Sequence, residues 1–329
     1  MQWNILGTGA IGCLIASHLR LKNHNVNLIL RSAQHLKDFE ACKNTITYQS
    51  QGSTKLLTGF TATVLGDNNS KRIDNLVVAT KAHHTATALE PVVKQLGSES
   101  SVLLLQNGMG IAEELESKFW PQQDQLPQRP RILVGVNRHA VERIAPYHIV
   151  HHSGWDDPEG GLMMGEFFRD RIAKHEKRPL ALEQTLENIT ALQGVTLSWQ
   201  DLQVRMLKKL VVNAAINPLA SILGTKNAGL ANGNTYAINV MRRVCTEAKD
   251  ILGDDLPNES ATSLTDMIIA TCHHCGENTC SMYQDVKAKQ KTEIDYINGY
   301  LCNLAKARGV EAPTNRDLVD LIHSKEKLY

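Results

Sequence analysis

A chain of 329 residues is long enough for about two domains, and 42% hydrophobic with 21% charged residues is an ordinary globular composition with ample core material. A net charge of +1 excludes electrostatic attraction to nucleic acid or to an anionic membrane as the basis of function. The uninterrupted apolar runs are shorter than the roughly 20 residues that span a bilayer, and a strand-like "WNILG" almost directly after Met1 leaves no room for a signal peptide, so a cytoplasmic protein is expected.

The first predicted element is that strand. It is followed by "GTGAIG", with Gly7, Gly9 and Gly12 in G-x-G-x-x-G spacing, opening a helix "AIGCLIASHLRL". The first glycine permits a tight turn, the second lets a pyrophosphate approach the backbone, and the third packs helix on strand. The loop Gly7, Thr8, Gly9, Ala10, Ile11 and Gly12 is therefore expected to hold a dinucleotide at the positive end of the helix. The second strand, "NVNLIL", ends in Arg31, where an NAD-specific fold would normally carry Asp or Glu. A guanidinium there can grip a 2′-phosphate through paired donors, which favours NADP(H).

Further β-rich runs follow at "NLVVAT", "SVLLLQ" and "ILVGVN". Helical segments lie between them, the pattern of a parallel sheet of βαβ units. Lys81 follows the third run, at the strand edge where α/β ligands bind; Asn107 follows the fourth, where Asn107-Gly108 can also simply form a turn. Residues 119–131 carry three prolines and no periodicity, and read as a surface insertion. "PYHIVHH" and "GGLMMGE" look like two more strands, joined by a turn-rich stretch, with an antiparallel pairing in view.

From about Asp201 helical patterns take over: 201–217, roughly 234–252, 259–272, 282–308 and 314–326. The expected architecture is an α/β dinucleotide-binding domain of Rossmann type at 1–199, followed by an all-α domain at 200–329. In "KKLVVNAAINPLA", Lys209, Asn213 and Asn217 recur every fourth residue and so share one helix face. Buried without partners they would each cost a few kcal/mol; an ammonium and amides on one stripe instead suit an oxygen that gathers negative charge. Pro218 is expected to end or kink that helix after Asn217. Seven cysteines, Cys13, Cys42, Cys245, Cys272, Cys275, Cys280 and Cys302, are an odd and irregular set that reads as reduced thiols. Four consecutive residues at 272–275, Cys-His-His-Cys, cannot easily close one tetrahedron, so no metal is expected.

Five blocks together resemble the ketopantoate reductase family: "LGTGAIG" with Arg31, "ATKAH", "LLQNGMG", "KKLVVNAAINPLAS" and "ENTCSMYQDVKAKQKTEIDYINGY". The resemblance implies NADPH-dependent reduction of 2-dehydropantoate to pantoate, the precursor of pantothenate and coenzyme A. It implies that Lys209 is the general acid and that Glu293 supports the lysine and the nicotinamide region. Asn213, Asn217, Asn227, Asn278 and Ser281 then contact substrate, the serine reaching its carboxylate. Lys81 and Asn107 border cofactor and substrate, and Val141 offers a backbone contact to the cofactor. Ser281 in "SMYQ" also has the form of a capping box, and Glu293 among "KAKQKTE" could be a surface carboxylate. His84, Gln106 and Arg138 depart from better-known members, so another branched 2-oxo acid stays open as substrate, as does a non-catalytic NADPH sensor. The expected partner is a small 2-oxo acid, with no nucleic acid and no membrane; monomer and homodimer both remain open.

Overall fold

The computed structural model describes residues 2–67, 71–121, 129–167 and 181–329. The strands are β1 (Gln2–Leu6), β2 (Asn25–Leu30), β3 (Ile46–Ser50), β4 (Ser53–Leu57), β5 (Phe60–Val64), β6 (Asn75–Val78), β7 (Ser101–Leu104), β8 (Arg131–Asn137), β9 (Ala140–Ala145), β10 (His148–Ser153), β11 (Leu162–Glu166) and β12 (Gly194–Thr196). The helices are α1 (Ala10–Leu21), α2 (Ala33–Ala41), α3 (Ala82–Leu89), α4 (Ile111–Phe119), α5 (Ala181–Glu187), α6 (Trp199–Leu223), α7 (Ala228–Ala231), α8 (Thr235–Leu252), α9 (Ala261–His274), α10 (Ser281–Lys287), α11 (Asn298–Arg308) and α12 (Pro313–Glu326). They form two compact units, Met1–Gln106 with Ile111–Leu202, and Asn107–Gly110 with Gln203–Tyr329. The helical unit thus takes in four residues from the first half of the chain, beyond a single border at 199/200.

In the first unit the main sheet runs β12-β11-β8-β7-β6-β1-β2-β5. Its pairs are parallel from β5 through β8, while β11 lies antiparallel to β8. The apolar runs that mark β1, β2, β6, β7 and β8 in the sequence are buried on nearly every residue, as strands covered on both faces must be. Strand order reverses at β1, which has β2 on one side and β6 on the other. Open α/β sheets bind ligands beyond the carboxyl ends of their strands at such a point.

A second, four-stranded sheet runs β4-β3-β10-β9. This corrects the expected pairing of the last two strands of the α/β half: β10 pairs with β3 and β9, whereas β11 closes onto β8. Helix α1 packs on both sheets, touching β1 and β2 on one side and β3, β9 and β10 on the other. That is why eight consecutive residues, Gly12 to Leu19, are buried instead of one stripe.

The second unit is helical around a core that includes Leu210, Val211, Met241, Ile268 and Leu301. Met109 is buried in the same core, which explains why Asn107–Gly110 belongs there. Helix α6 is long and apolar enough to cross a membrane by length and composition, a point the count of uninterrupted runs missed, yet most of that stretch is buried inside the fold. It also continues past Pro218 to Leu223, contrary to an end after Asn217. Proline has no N–H, so the Ala214 carbonyl loses its helical donor; the Asn298 side-chain amide takes it at 3.0 Å. The expected helix over 282–308 is broken into α10, a 3-10 turn Ile294–Tyr296 and α11. Of the expected insertion 119–131, Phe119 closes α4, Trp120 is buried and Arg131 opens β8; residues 122–128 lie outside the described residues.

Candidate active site

The glycine loop lies between β1 and α1. Gly7 has φ +100°, and a Cβ there would sit 2.8 Å from the backbone of Ala79 and Thr80, so only glycine fits. A Cβ on Gly12 would fall 1.8 Å from the Gly7 carbonyl oxygen. Gly9 differs, with no atom within 4 Å of its virtual Cβ. It caps α1 with no side-chain acceptor, and the first turn carries no acid. The open space at Gly9 lies at the start of α1, with the helix dipole and the unpaired N–H groups of the first turn, which fits a diphosphate.

Arg31 follows β2 and is exposed. Its Nη2 lies 3.2 Å from His35 Nε2, and Ser32 Oγ lies 2.8 Å from His35 Nδ1. A guanidinium only donates, so His35 Nε2 accepts and its Nδ1–H donates to Ser32. The first turn of α2 holds no acidic residue. Arginine, a serine hydroxyl and a helix start without a carboxylate suit a phosphomonoester. Lys81 is the N-cap of α3, just beyond β6. Val141 sits on β9 of the second sheet, opposite His151.

Sequence reasoning missed a buried histidine chain beside α1. The Tyr48 hydroxyl meets His151 Nδ1 at 2.9 Å, His151 Nε2 meets His139 Nδ1 at 3.0 Å, and His139 Nε2 meets the Leu192 carbonyl at 3.0 Å. The carbonyl only accepts, so His139 donates there and accepts from His151, which accepts from Tyr48. That assignment holds because burial lowers both imidazoles and keeps them neutral. His18 from α1 packs edge-on against Tyr48 and His151. Burial first, then the neighbouring imidazoles, pull His18 down to about 3 and His151 to about 4. Only the aromatic alternation of "ITYQS" and "HIVHHS" hinted at this pairing, with β3 and β10 about a hundred residues apart.

In the helical unit Lys209, Asn213 and Asn217 fall at i, i+4 and i+8 of α6. Lys209 Nζ donates to Asn107 Oδ1 at 3.1 Å, and Asn107 Nδ2 donates to Glu293 Oε2 at 3.5 Å. Asn107 thus bridges the ammonium and a carboxylate only 4% exposed, so Glu293 is not a surface residue. The loop holding Asn107 is fixed to the Glu293 segment: Met109 N–H donates to the Tyr296 carbonyl at 2.9 Å, and Gly108, at φ +89°, leaves a Cβ no room against the same residue. Lys208 points elsewhere, paired with Glu259 at 2.5 Å.

Asn217 is buried, and its carbonyl accepts from Ser221. Asn227 tethers the 275–278 segment, donating from its side chain to the Cys275 carbonyl and from its N–H to that of Asn278. Asn278 and Ser281 are exposed. Ser281 is the first residue of α10, whose N-cap is Cys280 without a side-chain bond. The capping alternative for Ser281 is therefore corrected; a capping box exists instead at Ser260 and Ser263, opening α9.

Residues 3–165 match the family described as ketopantoate reductase PanE/ApbA, and 201–326 match its C-terminal part. A probable 2-dehydropantoate 2-reductase of Schizosaccharomyces pombe is 31% identical, over 98% of this chain and 95% of its own length. The chain belongs to the ketopantoate reductase family. A 2-dehydropantoate 2-reductase of Shigella flexneri is 27% identical, over 100% and 96% of the two chains. Among solved structures, a family ketopantoate reductase from Ralstonia eutropha shares the fold at TM-score 0.80 and 24% identity, with 99% of each chain covered. A D-mandelate dehydrogenase holding NADH and anilino(oxo)acetate does so at TM-score 0.82 and 21% identity, again with 99% of each covered.

The three departures from better-known ketopantoate reductases have local settings. Arg138 is held by Asp157 and Glu159, at 2.8 and 2.5 Å. Gln106 donates to the Val78 carbonyl at 2.9 Å, and His84 is exposed on α3 beside His83. Among the described residues no cluster of three or more His, Cys, Asp or Glu could hold a metal ion.

Proposed function

We propose that this chain is an oxidoreductase that reduces 2-dehydropantoate to pantoate with NADPH, in the supply of pantothenate and coenzyme A, and that it works in the cytoplasm. The observation that carries the reading is the bridge Lys209–Asn107–Glu293, in a chain of this family. NADPH is favoured over NADH by Arg31, Ser32 and His35 at the end of β2. The residues for the dinucleotide are the loop from Gly7 to Gly12 with Arg31, and further contacts are assigned to Lys81, Asn107 and Val141. When bound, the nicotinamide supplies the hydride that adds to the 2-keto carbon.

The protein's share is a proton and a field. Lys209, held by Asn107 Oδ1, donates its proton to the carbonyl oxygen as charge builds there, and its positive charge stabilises that oxygen beforehand. Asn107 ties the lysine to Glu293, which fixes the direction of the ammonium. The amides of Asn213 and Asn217 present donors on the same helix face, and Ser281, with Asn227 and Asn278 behind it, is assigned to the substrate carboxylate. A turnover assay with NADPH and NADH against a panel of branched and aromatic 2-oxo acids tests this. Highest kcat/KM for ketopantoate with NADPH is expected. No turnover of any 2-oxo acid despite intact NADPH binding would leave a sensor as the better reading.

A further inference from the structure

We infer that His323 is a positioning residue for the reaction, acting as a cationic clasp that holds the 292–296 segment and, through it, the Glu293–Asn107–Lys209 bridge. The inference rests on the functional reading above for what the bridge does, but not for the clasp itself.

His323 lies near the end of α12. Its Nε2 meets Asp295 Oδ1 at 2.8 Å, and its Nδ1 meets Glu326 Oε2 at 3.0 Å. Two carboxylates on the two ring nitrogens want two N–H donors, which only the imidazolium supplies. Glu326 reaches the same segment a second time, accepting the Thr292 N–H on Oε1 at 2.7 Å. One histidine therefore secures both flanks of Glu293, Thr292 through Glu326 and Asp295 directly. The segment in turn carries the Asn107 loop, since the Tyr296 carbonyl accepts from Met109.

The charges around the ring agree. Burial alone would lower His323, but Glu326 and Asp295 outweigh it and hold the imidazole above its ordinary value of 6.5. Burial alone would raise Glu326, yet Thr292 and His323 hold it down. Lys291 stands behind Asp295 at 3.5 Å, and Tyr329 feels the charges of both Glu326 and Asp285. A histidine whose folded value is raised contributes fully at low pH, and the contribution is lost as pH rises through that raised value. The clasp is thus closed on the acid side of that raised value and opens as pH rises through it. Nothing in the reduction itself requires a group so placed; the reacting atoms meet Lys209, not His323.

The test compares His323→Ala, His323→Gln and His323→Arg with the unaltered protein. Arginine can bridge two carboxylates and stays charged at every working pH. His323→Ala and His323→Gln should lower kcat roughly 10- to 100-fold, as misplacement of about an ångström does, with a much smaller change in NADPH affinity, to which Asn107 is one contact among many. His323→Arg should restore most of kcat and remove the alkaline loss that His323 causes. Hydrogen exchange read by mass spectrometry on the peptides containing Met109 and 293–297 gives an answer that needs no substrate. Protection there should fall with rising pH beyond the intrinsic rate in the unaltered protein, be low at all pH in His323→Ala, and stay high in His323→Arg. If exchange in these peptides is the same in all four proteins, the clasp is refuted. If exchange responds as expected but no 2-oxo acid is turned over, the clasp stands and the functional reading falls. If Lys209→Ala abolishes turnover while His323→Ala leaves both kcat and its pH profile intact, the positioning role is wrong and the functional reading survives.

Discussion

Replacing Lys209 by alanine removes the proton source and a positive charge from the point where the carbonyl oxygen gains its own. The ammonium makes ordinary hydrogen-bond contact with Asn107 at 3.1 Å, so a carbonyl oxygen accepting from the same nitrogen would stand at about 3 Å. Two unit charges at that distance are worth about 5 kcal/mol at an effective dielectric near 20. Only the fraction of charge that develops in the transition state counts, which brings the loss to about 3–5 kcal/mol. At about 1.36 kcal/mol per decade, kcat should fall roughly 10²- to 10⁴-fold, the range expected for a lost general acid. Lys208 is the comparison, one residue and about 100° around α6 and engaged with Glu259. Lys208→Ala leaves Glu259 with Ser263 at 2.7 Å, so stability should drop by about 1 kcal/mol at most and kcat should hold within a few-fold. Stopped-flow NADPH oxidation, NADPH fluorescence titration and urea denaturation of both variants separate these effects. Equal kinetic losses in the two variants, or a larger one for Lys208→Ala, would refute the helix-face reasoning.

Three other outcomes follow from the same geometry. Arg31→Ala should weaken NADPH about 10- to 150-fold, the worth of charge-assisted bonds to phosphate, and leave NADH nearly unchanged in a fluorescence titration. Ser281→Ala should raise KM for ketopantoate without moving the melting temperature, because Ser281 does not cap α10; an earlier melt with unchanged KM would contradict the substrate role. Acid should destabilise the first unit through its buried imidazoles: His18 and His151 stay neutral when folded, down to about 3 and about 4, but protonate near 6.5 when unfolded. Their folded values are depressed, so proton uptake favours the unfolded chain as pH falls below 6.5, costing about 2 kcal/mol per histidine at pH 5. Urea midpoints at pH 7.5 and pH 5 measure this, and His18→Gln should shrink the difference.

The strands read most directly from the sequence were β1, β2, β6, β7 and β8, whose short, continuous Val, Leu and Ile runs mark burial on both faces; β10 and β11 were read as two further strands. β4 and β9 were missed for the opposite reason, and β3, β5 and the three-residue β12, only partly buried, were missed too. "STKLL" is almost wholly exposed and "AVERIA" nearly so, which leaves little apolar pattern to find. The length of α6 was hidden because the amide that takes over the Ala214 carbonyl lies 84 residues away at Asn298. The over-long helix at 282–308 has a local cause: Lys289 adopts φ +53°, a left-handed turn no helical periodicity reveals. The face shared by Lys209, Asn213 and Asn217 was plain from spacing alone, whereas the partner that orients Lys209 is 102 residues earlier and invisible to any local rule.

The four residues Asn107–Gly110, counted with the helices and not with the sheet that surrounds them in sequence, bear on how such a chain can be rearranged. A gene cut anywhere near residue 200 yields a C-terminal product that retains Lys209 and Glu293 but has left Asn107 behind, along with Met109 from its core. Grafting a foreign nucleotide-binding half onto these helices would import that donor's own residues at the same four places. The halves are therefore not interchangeable cassettes, and recombination between relatives is constrained at a tetrapeptide that a single cut near residue 200 separates from the helices.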